Sequence, residues 1–145
     1  MHFLKTIRAQ IAFAAVAGLL TITLFHWQSG PPATWPDLLV PFSLFAFVFG
    51  WTLWLSRQTL SLWALACRVL LGAILAHVIA WAPFLWRSYG IGHGPAGLDY
   101  SLASGIVTAA LVGWYVFTEH LWQTALLTCA VFAGLAAPVR KGNLQ

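Results

Sequence analysis

The amino-acid sequence predicts an all-α integral membrane protein, a polytopic helical bundle with five transmembrane helices and short loops. Three observations predict this class. Hydrophobic residues make up 61% of the 145 residues and charged residues only 7%, whereas soluble domains are about 45–50% apolar and about 25% charged. The apolar residues form runs long enough to cross a bilayer. Tryptophans collect where these runs end, as they do at membrane interfaces.

This composition excludes several classes of protein. Ten charged side chains cannot cover the surface of a soluble globule, and disorder requires low hydrophobicity with high net charge. The net charge of +4 does not indicate nucleic-acid binding, because the basic residues are scattered and form no patch. We expect them to meet lipid headgroups instead. They are Lys5, Arg8, Arg57, Arg68, Arg87, Arg140 and Lys141.

The first predicted span covers residues 9–27. A basic segment precedes it, and the run ends without a clean small-residue cleavage site, so we expect an uncleaved span rather than a signal peptide. Its N-terminus is expected to be cytoplasmic. Residues 28–37 form a linker with three prolines and one glycine, which is typical of a turn.

The second and third spans are predicted at residues 38–55 and 60–86. The polar residues 56–59 separate them, and tryptophans on both sides of Arg57 mark a membrane interface there. Residues 87–99 form the longest loop, with four glycines and one proline. Asp37 and Asp99 each precede a predicted span, where a carboxylate can cap free N–H groups.

Residues 101–137 are apolar except near Glu119 and His120. One helix of this length would measure about 55 Å at 1.5 Å per residue, too long for a single crossing. We therefore predict two spans, 101–117 and 121–137, which brings the total to five. The alternative is four spans, with one crossing in this region plus an interfacial or re-entrant piece. Residues 1–145 form one transmembrane domain in either case.

Basic residues bear on this choice, since cytoplasmic loops are enriched in Lys and Arg. Five spans place Lys5, Arg8, Arg57 and Arg68 inside, and the other three basic residues outside. Four spans bring Arg140 and Lys141 inside as well and leave only Arg87 outside.

Three ionisable residues within or near the spans are candidate functional residues, because charge at membrane depth is costly. His77 lies in the third span and is expected either to bond a neighbouring helix or to contact haem, quinone or a transported proton. Arg68 either extends its side chain to the interface or pairs with Glu119. Glu119 either belongs to a turn or acts as a relay inside the bilayer.

Two further histidines are weaker candidates for ligand or metal contacts. His26 lies at the end of the first span, and His93 lies in the glycine-rich loop. Paired with His77, either could ligate a b-type haem, although the sequence favours no cofactor. No metal-binding or catalytic motif is present, so we expect neither a metal site nor an enzyme.

The sequence predicts a non-catalytic subunit, or an accessory or assembly component, of a larger membrane complex. Its expected partners are the lipid bilayer and either another membrane protein or further copies of itself. One alternative is a small oligomeric transporter or channel component that uses Arg68, His77 and Glu119. The other alternative is a redox subunit that binds haem or quinone.

Overall fold

The structure is a computed structural model that describes residues 6–89, 107, 111, 114, 115 and 118–142. Throughout these residues the regular structure is helical, which confirms the all-α bundle. The helices are α1 (Ile7–Ser29), α2 (Leu39–Ser56), α3 (Leu62–Tyr89) and α4 (Leu121–Gly142), and one 3₁₀ turn (Trp35–Leu38) precedes α2. Three segments are long and apolar enough to cross a membrane: Ile7–Ser29, Leu39–Ser56 and Leu62–Ala80.

The first three helices lie close to the predicted spans, and local signals fix the ends of α1. The Thr6 hydroxyl accepts a hydrogen bond from the Ala9 N–H at 3.3 Å, which caps the helix start. Gly30 follows the last turn with a φ of 76°, a conformation that glycine adopts without steric cost. Its N–H donates to the His26 carbonyl.

The predicted capping role of Asp37 at the start of α2 is wrong. The N-cap position is Leu38, which makes no side-chain cap bond. Asp37 lies in the 3₁₀ turn, where its Oδ2 accepts from the Thr34 N–H at 2.9 Å and from the Thr34 hydroxyl at 2.5 Å. The carboxylate therefore stabilises the turn that precedes the helix.

The first three helices alternate in direction. The Gln10 side chain near the start of α1 donates to the Ser56 carbonyl at the end of α2 at 3.4 Å. We name this side of the bundle, where α1 begins, α2 ends and α3 begins, the Arg57 end. The opposite side, where α1 ends and α2 begins, is named the Gln28 end.

Helix α4 begins at the Gln28 end. Near its start, Gln123 accepts from the Gln28 side chain at 2.5 Å. Near its other end, Gly134 lies against the Phe13 ring of α1 and Leu135 packs with Leu55. Helix α4 therefore runs antiparallel to α1 and ends at the Arg57 end. This direction is the reverse of the one that the five-span order assigns to residues 121–137.

Aromatic rings pack against glycines between the helices. A Cβ added at Gly18 would lie 2.7 Å from the Phe45 ring, and one at Gly72 would overlap the Trp51 indole. Phe45 and Trp51 of α2 thus fill space inside the bundle. Phe42, however, is 70% exposed. Cys67 and Cys129 are both free.

Most of the predicted span 101–117 lies outside the described residues. His93 and Asp99 lie outside them as well. The described residues of this region are helical, and all are exposed. They are Val107, Leu111, Trp114, Tyr115, Thr118 and Glu119.

Candidate functional site

His77 lies in α3 and forms hydrogen bonds through both ring nitrogens. Its Nδ1 is 2.9 Å from the Ala73 carbonyl oxygen one turn earlier. Because a carbonyl can only accept, Nδ1 carries the proton of the neutral ring and donates it. Nε2 is then the acceptor, and the Thr124 hydroxyl donates to it at 3.3 Å. The hydrogen bond between His77 and Thr124 therefore joins α3 to α4.

A crevice lies beside this pair, between all four helices. It offers about 80 Å³ for the centres of water-sized molecules. On α2 its lining extends from Leu44 to Leu55, and on α3 from Val69 to Ala80. Each stretch corresponds to about 16 Å along a helix axis, so the crevice is elongated along the bundle.

Polar residues are unevenly distributed along this crevice. Gln28, His77 and Thr124 line it towards the Gln28 end, and Thr128 follows one turn later on α4. Towards the Arg57 end its lining includes Leu55, Val69 and Val131, together with the Trp51 indole and the Thr52 hydroxyl. The imidazole, the amide and two hydroxyls therefore lie nearer the Gln28 end than the Arg57 end.

Two threonines of α1 and α2 also line the crevice. The Thr21 hydroxyl donates to the Ala17 carbonyl at 2.8 Å, so its donor is already used within α1. Thr52 is only 2% exposed and adds another hydroxyl to the lining, in the last turns of α2.

The lining is uncharged over the described residues. Its polar side chains are hydroxyls, one imidazole, one amide and one indole, without an Asp, Glu, Lys or Arg. The indole belongs to Trp51, whose Nε1 donates to the Arg68 carbonyl at 3.1 Å. The interior thus combines apolar walls with neutral hydrogen-bonding groups.

Arg68 lies outside the crevice, near the Arg57 end. Its guanidinium donates to the Gln58 side-chain oxygen and lies 5.2 Å from the centre of the Trp54 ring, a cation–π distance. Glu119 is exposed and precedes α4 at the Gln28 end. The pair Arg68–Glu119 considered from the sequence is therefore not formed, because the two residues lie at opposite ends.

His26 has a local partner at the end of α1. Its Nδ1 donates to the Gly30 carbonyl at 3.3 Å, and its ring lies edge-on to Phe25 with 5.9 Å between centroids. His93 lies outside the described residues. Within the part of the chain that the structure describes, no group of three or more His, Cys, Asp or Glu side chains is arranged to hold a metal.

The structure adds residues that the sequence analysis did not single out, namely Gln28, Thr52, Gln123, Thr124 and Thr128. Neutral polar residues inside apolar runs are the signal that could have found them, since interhelical hydrogen bonds use these residue types. Comparisons with protein-family models, curated proteins and solved structures found no match to this chain.

Proposed function

We propose that this chain is an integral membrane protein that crosses the bilayer four times and acts as a non-catalytic subunit or accessory component of a membrane complex. Three apolar segments have the length of membrane spans. The apolar part of α4, Leu121–Ala137, is shorter than these segments and measures about 26 Å, compared with a hydrocarbon core of about 30 Å. The polar last turn of α4 would then lie at the membrane surface, and α4 would be the fourth helix of an antiparallel bundle.

The direction of α4 supports four crossings rather than five. Five crossings require residues 121–137 to start at the Arg57 end, whereas Gln123 bonds Gln28 at the other end. In the four-crossing arrangement the segment before α4 stays at the Gln28 end. Trp114 and Tyr115 are exposed, which suits a membrane interface.

The basic residues support the same arrangement. Arg8 and Arg57 belong to the Arg57 end, and the last turns of α4 bring Arg140 and Lys141 there as well. Arg87, in the last turn of α3, belongs to the Gln28 end. With Arg68, five of the six basic residues that the structure describes belong to the Arg57 end, so the positive-inside rule favours a cytoplasmic location for this end.

The non-catalytic assignment rests on one observation: polar side chains inside the bundle form hydrogen bonds between helices. His77 bonds Thr124, Gln28 bonds Gln123, and Trp51 bonds the Arg68 backbone. Each of these bonds joins two different helices, which is a structural use of polar groups in lipid. Transport through Arg68, His77 and Glu119 has less support, because Arg68 and Glu119 do not line the crevice with His77.

Mild-detergent extraction tests this role. An epitope-tagged chain at native expression should remain in the membrane pellet after alkaline carbonate washing. It should then migrate on a native gel in an assembly larger than one chain, together with a reproducible membrane-protein partner or copies of itself. Migration as a single chain in every mild detergent would contradict the subunit role. Recovery in the carbonate supernatant would contradict membrane insertion.

A further inference from the structure

We propose that the crevice between the four helices binds a neutral single-chain amphiphile, with a hydroxyl or carbonyl head near His77 and Thr124 and an apolar chain towards Leu55 and Val131. The proposal rests on the membrane insertion proposed above, because a ligand of this type is dissolved in the bilayer. The polar groups, the absence of charge and the shape of the crevice each restrict the ligand.

The head group must be uncharged. No ionised side chain lines the crevice among the described residues, so an ammonium, carboxylate or phosphate would lose its hydration without a counter-charge. Burial of an unpaired ion is far more costly than burial of a hydroxyl or carbonyl that finds a hydrogen bond. The crevice therefore discriminates against charged lipids with the same chain.

Hydrogen-bonding groups in the lining fit such a head. After the Thr124 hydroxyl donates to His77, its oxygen still has acceptor capacity. Thr128, one turn further along α4, adds a hydroxyl to the same lining. A ligand hydroxyl can donate to Thr124, and a ligand carbonyl can accept from Thr128.

The chain must be slender. About 80 Å³ is open to the centres of water-sized groups along about 16 Å of helix, a narrow path that suits a single alkyl chain. Small residues on α3 create this space, since Gly72, Ala73 and Ala76 all line it. A larger side chain at any of these positions would narrow the path of the ligand chain.

The test uses a photoreactive long-chain fatty alcohol and, as its control, the fatty acid of the same chain length, both at about pH 9, because the bilayer raises the pKa of the carboxyl and full ionisation needs alkaline pH. The purified protein in lipid nanodiscs is labelled by each probe, and the labelled positions are mapped by mass spectrometry. We expect the alcohol to label crevice-lining residues of α2 and α4 at least about fivefold more than the ionised acid, as a difference of about 1 kcal/mol or more would produce.

Competition distinguishes a hydroxyl head from a carbonyl head. Excess unlabelled long-chain isoprenoid alcohol presents a hydroxyl, and excess benzoquinone with a short isoprenoid chain presents carbonyls. Stronger competition by the alcohol identifies a lipid alcohol, and stronger competition by the quinone identifies a carbonyl-headed ligand. Absence of competition by both would overturn the proposal.

Two variants keep the proposal falsifiable. Ala73→Leu fills the crevice and should reduce alcohol labelling severalfold, whereas Ala130→Leu makes the same change on an exposed part of α4 and should leave it unchanged. Thr124→Val keeps the volume but removes the hydroxyl and should weaken labelling about three- to tenfold. Equal labelling by alcohol and acid, or labelling unaffected by Ala73→Leu in a folded protein, would overturn the proposal while leaving membrane insertion intact.

Discussion

At the scale of single residues, hydrogen bonds between neutral side chains connect the helices at the Gln28 end. The His77–Thr124 pair needs no ionised group, and the amides of Gln28 and Gln123 form a second connection at the same end of the bundle. Such bonds are modest in membranes, because polar groups in the unfolded chain also find partners in the bilayer. Their main effect is to fix which helices are neighbours and in which direction they run.

A double-mutant cycle tests the pair of His77 and Thr124. His77→Leu, Thr124→Val and the double variant should give a coupling free energy of about 0.6 kcal/mol, with an upper range of about 1.7 kcal/mol, in reversible unfolding in detergent micelles. Thr23 is the control, because its hydroxyl is exposed and donates only to the Leu19 carbonyl in its own helix. Thr23→Val should show no coupling to His77→Leu, and equal coupling for both threonines would contradict the assignment.

The sequence predicted the position of His77 but not its partner. A histidine in an apolar run is visible in the sequence, and a bond to a neighbouring helix was one of the expectations for it. Thr124 lies 47 residues away, and its pairing depends on the direction of α4. Arg68 illustrates the same difficulty, because its partner Gln58 belongs to the short connection between α2 and α3 and not to a distant span.

At the scale of secondary-structure elements, aromatic rings pack directly against glycines of neighbouring helices. Gly18 faces Phe45, Gly72 faces Trp51 and Gly134 faces Phe13. In lipid, close packing is a principal source of helix association, and a ring against a glycine brings many atoms into contact. Aromatic side chains also pack against the two clusters of buried residues, one around Leu55 and one around Leu44.

A pair of glycine variants tests this packing. Gly72→Ala should lower the free energy of unfolding by about 1–3 kcal/mol, the usual cost of overpacking, because its Cβ would overlap the Trp51 indole. Gly50→Ala is the matched control, since nothing lies within 4 Å of a Cβ there, and it should be neutral or stabilising through the better helix propensity of alanine. Unfolding titrations that rank Gly72→Ala as the more stable variant would argue against ring-on-glycine packing.

The sequence predicted the helices better than their contacts. The bounds of the first three spans follow from the length of each apolar run and from the turn residues after it, so they could be recognised locally. Small residues within the spans are visible in the sequence too, and the structure buries Ala14, Gly18, Gly72 and Ala76. The ring that fills each gap comes from another helix, and a single sequence carries no signal for that pairing.

At the scale of the whole molecule, two sequence signals conflicted. The apolar length of residues 101–137 favoured five crossings, and the distribution of basic residues favoured four. The direction of α4 agrees with the basic residues, because the bonds near Gln123 and Thr124 hold its start at the Gln28 end. In the four-crossing arrangement that we propose, hydrophobic length overestimates the number of crossings, because the length of an apolar run does not by itself show whether the run crosses completely.

The most direct test of the four-crossing arrangement is the side of the membrane on which the C-terminus lies. Cys67→Ala and Cys129→Ala remove the native thiols, and single cysteines are then placed by Gln145→Cys, Thr59→Cys or Ala33→Cys. Thr59 is exposed at the Arg57 end and Ala33 at the Gln28 end. Intact cells are treated with a membrane-impermeant maleimide, and permeabilised cells provide the full labelling of each variant.

The four-crossing arrangement predicts that Gln145→Cys behaves like Thr59→Cys, with both protected in intact cells and labelled only after permeabilisation, while Ala33→Cys is labelled from outside. Labelling of Gln145→Cys together with Ala33→Cys in intact cells would contradict it and would restore five crossings.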